Sequence, residues 1–439
     1  MTCIYLSVDP GKSAIKVLYQ IDKKQTRYLL LPPNIVELPK QQINNFLESN
    51  KSLFNKPENR AWIEVNNKYF AVGFLATQFY VHDQIKKKKY ESAIYKILCT
   101  IGIIVDKHDL WEQEINVSII TALPTKEFND KTSLTNQIKA LITDFQFGGR
   151  QMSLNLELKH FICCREGQGL AMTVATQRKQ DWLETQNFAC LNIGHYNLSA
   201  LCYKSGEPIF AASPPLGFAN LVDQIIALTS NLDRKVVTDA IWKILSNEHS
   251  QTYSQSIKKI AHPNWEEQAS IRSLATATDS TLKKAEIKQI ADAINNVTED
   301  FWSNRIVPWL NEVASVPLNE VFITGGAASF FEPELEDYFS CYSKFKEEGY
   351  NKWVKTGEYR REYSNNRRFV QITWNAGIEE EIQKILKFNK AENQAQSLTN
   401  RFLDCFGLFN YLLYEVSLEQ RLATKKSQSG GNKKENAPV

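Results

Sequence analysis

The stretch CIYLSVDPGKSAIKVLYQI, residues 3–21, decides the fold. An apolar run ends at Asp9, Pro10-Gly11 turns the chain, and an alternating run returns through Ile15, Val17 and Tyr19, which is hairpin chemistry. A carboxylate, the free N–H groups of a glycine turn and the ammonium of Lys16 then share one hairpin. These groups hold a polyphosphate and Mg²⁺. A Pro-Gly turn between strands is most often only a turn, so the reading needs support from elsewhere in the chain.

Two further elements supply it. The meander FACLNIGHYNLSALCYKSGEPIFA, residues 188–211, repeats the strand-turn-strand pattern, with Asn192 and Gly194 in the places of Asp9 and Gly11. The run VFITGGAAS, residues 321–329, is an apolar strand ending in glycine and small residues, where backbone can approach a purine or ribose closely. Ahead of both, residues 25–80 show short strands, including AWIEVNNKYFAVGF (61–74) with a hairpin turn at Asn66-Asn67. Helical spacing runs through Ile94, Ile97, Leu98 and Ile101, INVSIITALP (115–124) reads as a buried strand, and a helix is expected over 131–145. Helices are also expected over 166–182, 217–230, 234–247 and 282–313, with a strand at 320–324 and a last body helix from Asn375. Beyond it, Phe402, Cys405, Phe409, Leu412 and Val416 form an a/d-like stripe.

The motifs stand in the order of a known family. DPGKSAIK (9–16), CREGQGLA (164–171), LNIGHYNL (191–198), VFITGGAAS and WNAGIEEEI (374–382) resemble, in turn, five motifs of the actin, Hsp70 and sugar-kinase ATPases. These are the first phosphate, first connecting, second phosphate, adenosine and second connecting motifs. YFAVGFLA (69–76) and VSIITALPTKEF (117–128) look like segments of the ParM-type bacterial actin homologues. The resemblance spans about residues 4–388.

It implies an α/β, actin-like two-domain ATPase fold with a nucleotide cleft between duplicated mixed-sheet domains, plus a helical C-terminal extension. The expected parts are domain I over 1–165, with a small β-rich insertion at about 25–95, and domain II over 166–374, with a helical subdomain at about 215–312. After these come a helix returning to domain I over 375–388, a helical extension over 389–424 and a disordered basic tail over 425–439.

The resemblance also implies site roles. Asp9 would organise hydrated Mg²⁺, Gly11 and its neighbours Lys12 and Ser13 would offer backbone N–H groups, and Lys16 would contact phosphates. Glu166 would orient the attacking water. Gly194, His195 and Asn197 would bring the second hairpin to the γ-phosphate, and Gly325, Gly326, Ala327 and Ala328 would line the adenosine pocket. Two departures stand out. Lys12 replaces a small polar residue, with Ser13 beside it to compensate, and Asn192 stands where the family has an aspartate. Asparagine keeps the oxygen and loses the charge, so binding of ATP (or GTP) is expected with slowed hydrolysis.

Composition bounds the partners. The 439 residues, 43% hydrophobic, exceed one ordinary core. The formal charge of +3 gives no reason to expect direct nucleic-acid binding, and it is carried by the lysine-rich tail TKKSQSGGNKKENAPV. Eight cysteines without a paired framework or C-x-x-C are expected reduced, without zinc. The first residues lack a signal-peptide pattern and 402–416 is too short to span a bilayer, so a cytoplasmic protein is expected.

The implied function is a head-to-tail filament that polymerises on nucleotide, for DNA segregation with a DNA-binding adaptor or as a cytoskeletal element. A small-molecule kinase and a weakly hydrolysing scaffold are the alternatives. Three features stay open on the residues alone. His195 is a phosphate contact or an exposed turn residue. Lys86–Lys89 binds DNA, a membrane or a neighbouring subunit, or is a solvated helix start. The C-terminal stripe is core, adaptor or filament contact, or a membrane-surface face.

Overall fold

The computed structural model describes residues 1–79, 87–152, 154–229, 232–248, 262–340, 370–386 and 395–431. Lys86, residues 387–394 of the expected helix and extension, and 432–439 of the tail lie outside the described residues. The chain divides into two compact units, one of Met1–Leu123, Glu127–Arg165 and Cys405–Val439, the other of Pro124–Lys126 and Glu166–Asp404.

In the first unit β1 (Thr2–Pro10), β2 (Ile15–Ile21) and β3 (Arg27–Leu31) are followed by β4 (Ile35–Glu37), α1 (Lys40–Ser49), β5 (Trp62–Val65) and β6 (Lys68–Val72). Helix α2 (Lys89–Lys107), β7 (Ile115–Leu123), α3 (Lys131–Leu141), β8 (Gln146–Phe147), β9 (Arg150–Gln151) and β10 (Leu154–Arg165) complete it. The main sheet has the order β10-β7-β1-β2-β3, with β1 antiparallel to β2 and parallel to β7. Strands β1 and β7 are buried along nearly their whole length, which is why both read as unbroken apolar runs rather than alternating ones. A smaller sheet, β4-β6-β5-β8-β9, packs its own core around Ile43, Phe54, Trp62 and Leu75.

The expected insertion over 25–95 therefore has different limits. Strand β3 belongs to the main sheet, and the small sheet recruits β8 and β9 from beyond α3. The helix expected over 131–145 stops at Leu141 because Phe145 and Phe147 bury their rings at the start of that strand pair.

The second unit opens with α4 (Gln168–Gln177) and α5 (Gln180–Thr185), then β11 (Asn187–Ile193), β12 (Leu198–Lys204) and β13 (Glu207–Ala212). Helices α6 (Phe218–Ala227), α7 (Arg234–Glu248), α8 (Ala269–Arg272), α9 (Ser280–Phe301) and α10 (Val307–Val313) precede β14 (Glu320–Thr324), α11 (Glu332–Ser340) and β15 (Gln371–Trp374). The sheet order is β13-β12-β11-β14-β15, with β11 antiparallel to β12 and parallel to β14. Strand for strand this is the first unit's sheet again, so the duplication read from the two hairpins extends to both topologies. The helix expected over 282–313 is broken by a π turn, Trp302–Ile306. Pro308 comes next, at the start of α10, and without an N–H it cannot continue the i→i−4 ladder.

The end of the chain differs most from expectation. The helix Glu379–Leu386 belongs to the second unit, and it is the helix Ala395–Gly431 whose residues from Cys405 onward count with the first. The physical reason lies in what each segment bonds to. Asn375, just before the first helix, bonds Thr324 of β14, whereas the Cys405 thiol donates to the Ser7 hydroxyl of β1 at 3.2 Å. Of the three readings of the apolar stripe the structure gives core: Phe402, Cys405, Phe409, Leu412 and Val416 are all buried. The segment expected as a disordered basic tail is helical as far as Gly431.

Since Leu412 is fully buried, Leu412→Ala is expected to cost about 2–5 kcal/mol, measured as a lower urea midpoint with an unchanged slope.

Candidate functional site

Asp9 and Lys16 sit opposite each other where β1 and β2 leave the sheet. Lys16 Nζ lies 2.5 Å from Asp9 Oδ2. A second ammonium, Lys89 Nζ from the first turn of α2, lies 2.7 Å from Oδ1. Burial by itself raises the Asp9 carboxyl, but the two lysines outweigh it and hold the group well below the usual carboxylate range. Two turns along α2, Lys96 Nζ approaches the Gly11 carbonyl at 3.4 Å. Burial pushes Lys96 from 10.5 down to about 8, helped by Lys89 and Lys12 and opposed by Asp9. Glu127 accepts the Tyr90 N–H at 3.1 Å, and burial pushes its carboxyl up against the pull of that N–H, Lys12 and Lys89. The tip residues Gly11, Lys12 and Ser13 are half-buried.

The second hairpin is built the same way. Asn192 stands opposite Ser199, as Asp9 stands opposite Lys16. At Gly11 an added Cβ would lie 2.7 Å from the Ala14 carbonyl, and at Gly194 the same 2.7 Å from that of Asn197. Both turns are therefore too tight for a side chain at that position. The Gly194 N–H donates to the Asn197 carbonyl at 2.9 Å. The carbonyls of Gly194, His195 and Tyr196 accept the N–H groups of Phe218, Ala219 and Gly217, so the hairpin tip closes the N-terminus of α6. The His195 ring is tilted toward Phe218, 6.4 Å between centroids, and is half-buried rather than exposed. Ser199 Oγ donates to Glu166 Oε2 at 3.3 Å, which brings Glu166 to the strand end that carries Asn192.

Gly325 comes directly after β14 with φ +113, where an added Cβ would lie 2.3 Å from the Ile193 carbonyl and 2.6 Å from Asn192 Oδ1. Only glycine fits both the backbone angle and the space. Ala327 and Ala328 are buried, leaving Gly326 as the partly exposed residue of the run. Beneath the turn lies a buried polar network. Thr324 Oγ1 donates to Asn375 Oδ1 at 2.9 Å, Asn375 Nδ2 to Asn400 Oδ1 at 2.6 Å and Asn400 Nδ2 to Ser329 Oγ at 3.2 Å. The Gly325 N–H reaches the Asn400 carbonyl at 3.2 Å. Four residues later Asp404 accepts the N–H groups of Gly167 and Leu170 at 3.0 and 3.2 Å, fixing the backbone just after Glu166.

Among the described residues the ammonium groups of Lys12, Lys16, Lys89 and Lys96 gather around Asp9 and Glu127 at the first hairpin. Clustered ammonium groups suit a polyanion. A divalent cation held by the protein alone does not suit them, because both Asp9 oxygens already face ammonium groups. Among the described residues no group of three or more His, Cys, Asp or Glu could hold a metal.

Residues 7–169 match the family model described as the N-terminal domain of actin-like proteins. The crystal structure of the actin-like protein Alp7A superposes with a TM-score of 0.57 at 13% identity, covering 97% of this chain and 100% of that one. This chain is an actin-like protein in its fold. Two looser likenesses carry no weight by themselves. The apo psk41 ParM protein gives a TM-score of 0.45 at 12% identity over 95% of this chain and 98% of that one. The Alp12 filament structure gives 0.46 at 13% identity over 94% and 99%. Among curated proteins none matches the chain in sequence.

Within its units the actin-like fold gathers Asp9, Gly11, Lys12, Ser13 and Lys16 at one hairpin, and Glu166, Asn192, Gly194, His195, Asn197 and Gly325 at the matching end of the other sheet. Sequence reasoning missed Lys89, Lys96, Asn400 and Asp404. It left the run Lys86–Lys89 open between a binding surface and a solvated helix start, neither of which pairs it with Asp9; Lys87 and Lys88 are exposed, but Lys89 is buried against Asp9. A signal was present. Lys89 and Lys96 are seven residues apart, on the same face as the apolar Ala93, and a charge on a buried stripe calls for a partner.

Two outcomes test this geometry. Lys96 has a folded value below its unfolded one, so between about 8 and 10.5 the unfolded chain alone keeps the proton and stability rises with pH. Lys96→Met is expected to remove that rise and to stabilise the protein at pH 7 by roughly 2–3 kcal/mol, read from urea unfolding at several pH values. Gly325→Ala is expected to cost about 1–3 kcal/mol through backbone strain alone, and more once Asn192 is displaced, seen as a lower Tm.

Proposed function

We propose that this chain is a nucleotide-dependent, filament-forming protein of the ParM type, which binds ATP (or GTP, by the same phosphate chemistry) and polymerises head to tail with itself. The observation that carries the reading is the Asp9–Lys16 hairpin, with its glycine-tight turn and the ammonium groups clustered at it. The family match over residues 7–169 supports it. Nucleotide shifts the population toward an assembly-competent conformation, and a heterologous contact that does not close into a ring extends the filament. Asp9 would hold phosphate-bound Mg²⁺ through water, and the ion would neutralise the charge of the phosphates.

Hydrolysis is slow in this reading. Glu166, held by Ser199, orients the water, while Asn192 keeps an acceptor oxygen without the charge that would polarise it. A weakly hydrolysing nucleotide-binding scaffold is the second reading, favoured by Asn192. A small-molecule kinase would need a substrate base beside the phosphates and a pocket for its substrate. The filament serves DNA segregation through a DNA-binding adaptor, or cell organisation, in the cytoplasm. No helix among the described residues is long and apolar enough to cross a membrane.

Sedimentation and electron microscopy of the full chain with a non-hydrolysable ATP analogue are expected to give filaments that Lys16→Ala abolishes. A protein that stays monomeric with every nucleotide would overturn the filament. Phosphate release is expected to fall by about 100-fold in Glu166→Ala, the scale of a lost general base or water-orienting group. Turnover undiminished in that variant would remove Glu166 from the mechanism.

A further inference from the structure

Glu166 stands directly before the start of α4, and the next residue is the one least able to hold it in place. Gly167 is the N-cap of α4 with φ +89, and being glycine it makes no side-chain cap bond. Glycine leaves its own backbone angles freer than any other residue does, so a side chain beside it needs the chain anchored from outside. Ser199 Oγ reaches Glu166 Oε2 at 3.3 Å, a long bond, and the same hydroxyl meets Ser213 Oγ at 3.2 Å.

The anchor comes from a residue 237 positions beyond Gly167. Asp404, on the helix Ala395–Gly431, accepts the Gly167 N–H through Oδ2 at 3.0 Å and the Leu170 N–H through Oδ1 at 3.2 Å. Leu170 is the third residue of α4. A capping box satisfies these same two N–H groups, with an N-cap hydroxyl on one and a third-position carboxylate on the other. Here a single distant carboxylate makes both bonds, and its charge opposes the positive end of the α4 dipole. The approach is close: a Cβ added at Gly169 would lie 1.9 Å from the Asp404 carbonyl oxygen, so a side chain there would push the two helices apart. One turn earlier on the same helix, the Asn400 carbonyl takes the Gly325 N–H at 3.2 Å. A single helical turn thus braces both the glycine turn after β14 and the segment after Glu166.

We propose that Asp404 is a positioning residue for hydrolysis: by capping α4 it fixes the backbone from which Glu166 aims its carboxylate at the attacking water. This rests on the nucleotide reading above, in which Glu166 orients that water. Asp404 acts through Glu166, so its loss slows turnover and leaves nucleotide affinity in place.

The test compares phosphate release and the affinity for a fluorescent ATP analogue in the full-length wild-type chain, Asp404→Asn, Glu166→Ala and the double variant. Asp404→Asn keeps the shape but sets an amide donor against one of the two backbone N–H groups. It is expected to release phosphate about tenfold more slowly, the scale of a small misplacement of a catalytic group, with an affinity within about twofold of wild type. In the Glu166→Ala background the same substitution is expected to change nothing further, because no carboxylate is left to aim. A purely structural cap would act alike in both backgrounds, so this non-additivity is the deciding readout. Wild-type turnover in Asp404→Asn, or an equal loss with and without Glu166, overturns the inference and leaves the nucleotide reading standing. A wild-type chain that binds no nucleotide, or a Glu166→Ala chain that turns over at the wild-type rate, overturns the reading beneath it and the inference too. If circular dichroism shows Asp404→Asn unfolded, Gly167→Ala takes its place. Alanine is strained at that φ, its Cβ meets nothing closer than Leu201 at 3.6 Å, and the same kinetic pattern is expected.

Discussion

A carboxylate largely removed from water at the end of a central strand has to be paired, and the pairing of Asp9 with Lys16 and Lys89 organises everything around it. Lys16 is its cross-strand neighbour, so the first bond locks the hairpin. Lys89 comes from a helix 80 residues further on, so the second ties α2 to the sheet end. With both bonds made, the hairpin tip is held by charge as well as by the tight turn at Gly11. Beside that tip the described residues place the further ammonium groups of Lys12 and Lys96.

The second unit solves the same geometric problem without the charge. Its sheet repeats the order of the first, its hairpin repeats the tight glycine turn, and Asn192 and Ser199 take the places of Asp9 and Lys16. Neutral partners do not need the ion pairs that anchor the first hairpin. The second is anchored instead by backbone: its tip carbonyls close α6, and Gly325 fits against Ile193 and Asn192. The two halves are thus alike in topology and unlike in electrostatics.

The C-terminal helix supplies polar supports that the motifs lack. Asn400 completes the buried network under the Gly325 turn, where an unsatisfied amide would cost about 1–3 kcal/mol. Asp404 accepts two of the orphan N–H groups at the start of α4, a role that Gly167, having no side chain, leaves open. From Cys405 the helix counts with the first unit and buries Leu412 and Val416.

By itself the sequence determined strands such as β1, β2, β7 and β14, the two hairpins and the glycine pair after β14, because these depend on local periodicity and turn chemistry. The run 320–324 and the turn at Asn66-Asn67, where both residues take positive φ, are read from neighbours in the chain. Asp9 and Lys16 follow from that hairpin chemistry, whereas Glu166 and the role of Asn192 follow only from the resemblance to the actin-like motifs. Tertiary structure alone decided that Lys89 is a partner of Asp9 and not a solvated charge, that Asn400 and Asp404 belong beside motifs more than 70 residues away, and that β8 and β9 complete the small sheet. Each of these depends on which distant groups share a buried volume. Burial turns an ordinary lysine or asparagine into one that must find a partner, and burial is set by the packing of the whole unit rather than by the residues on either side.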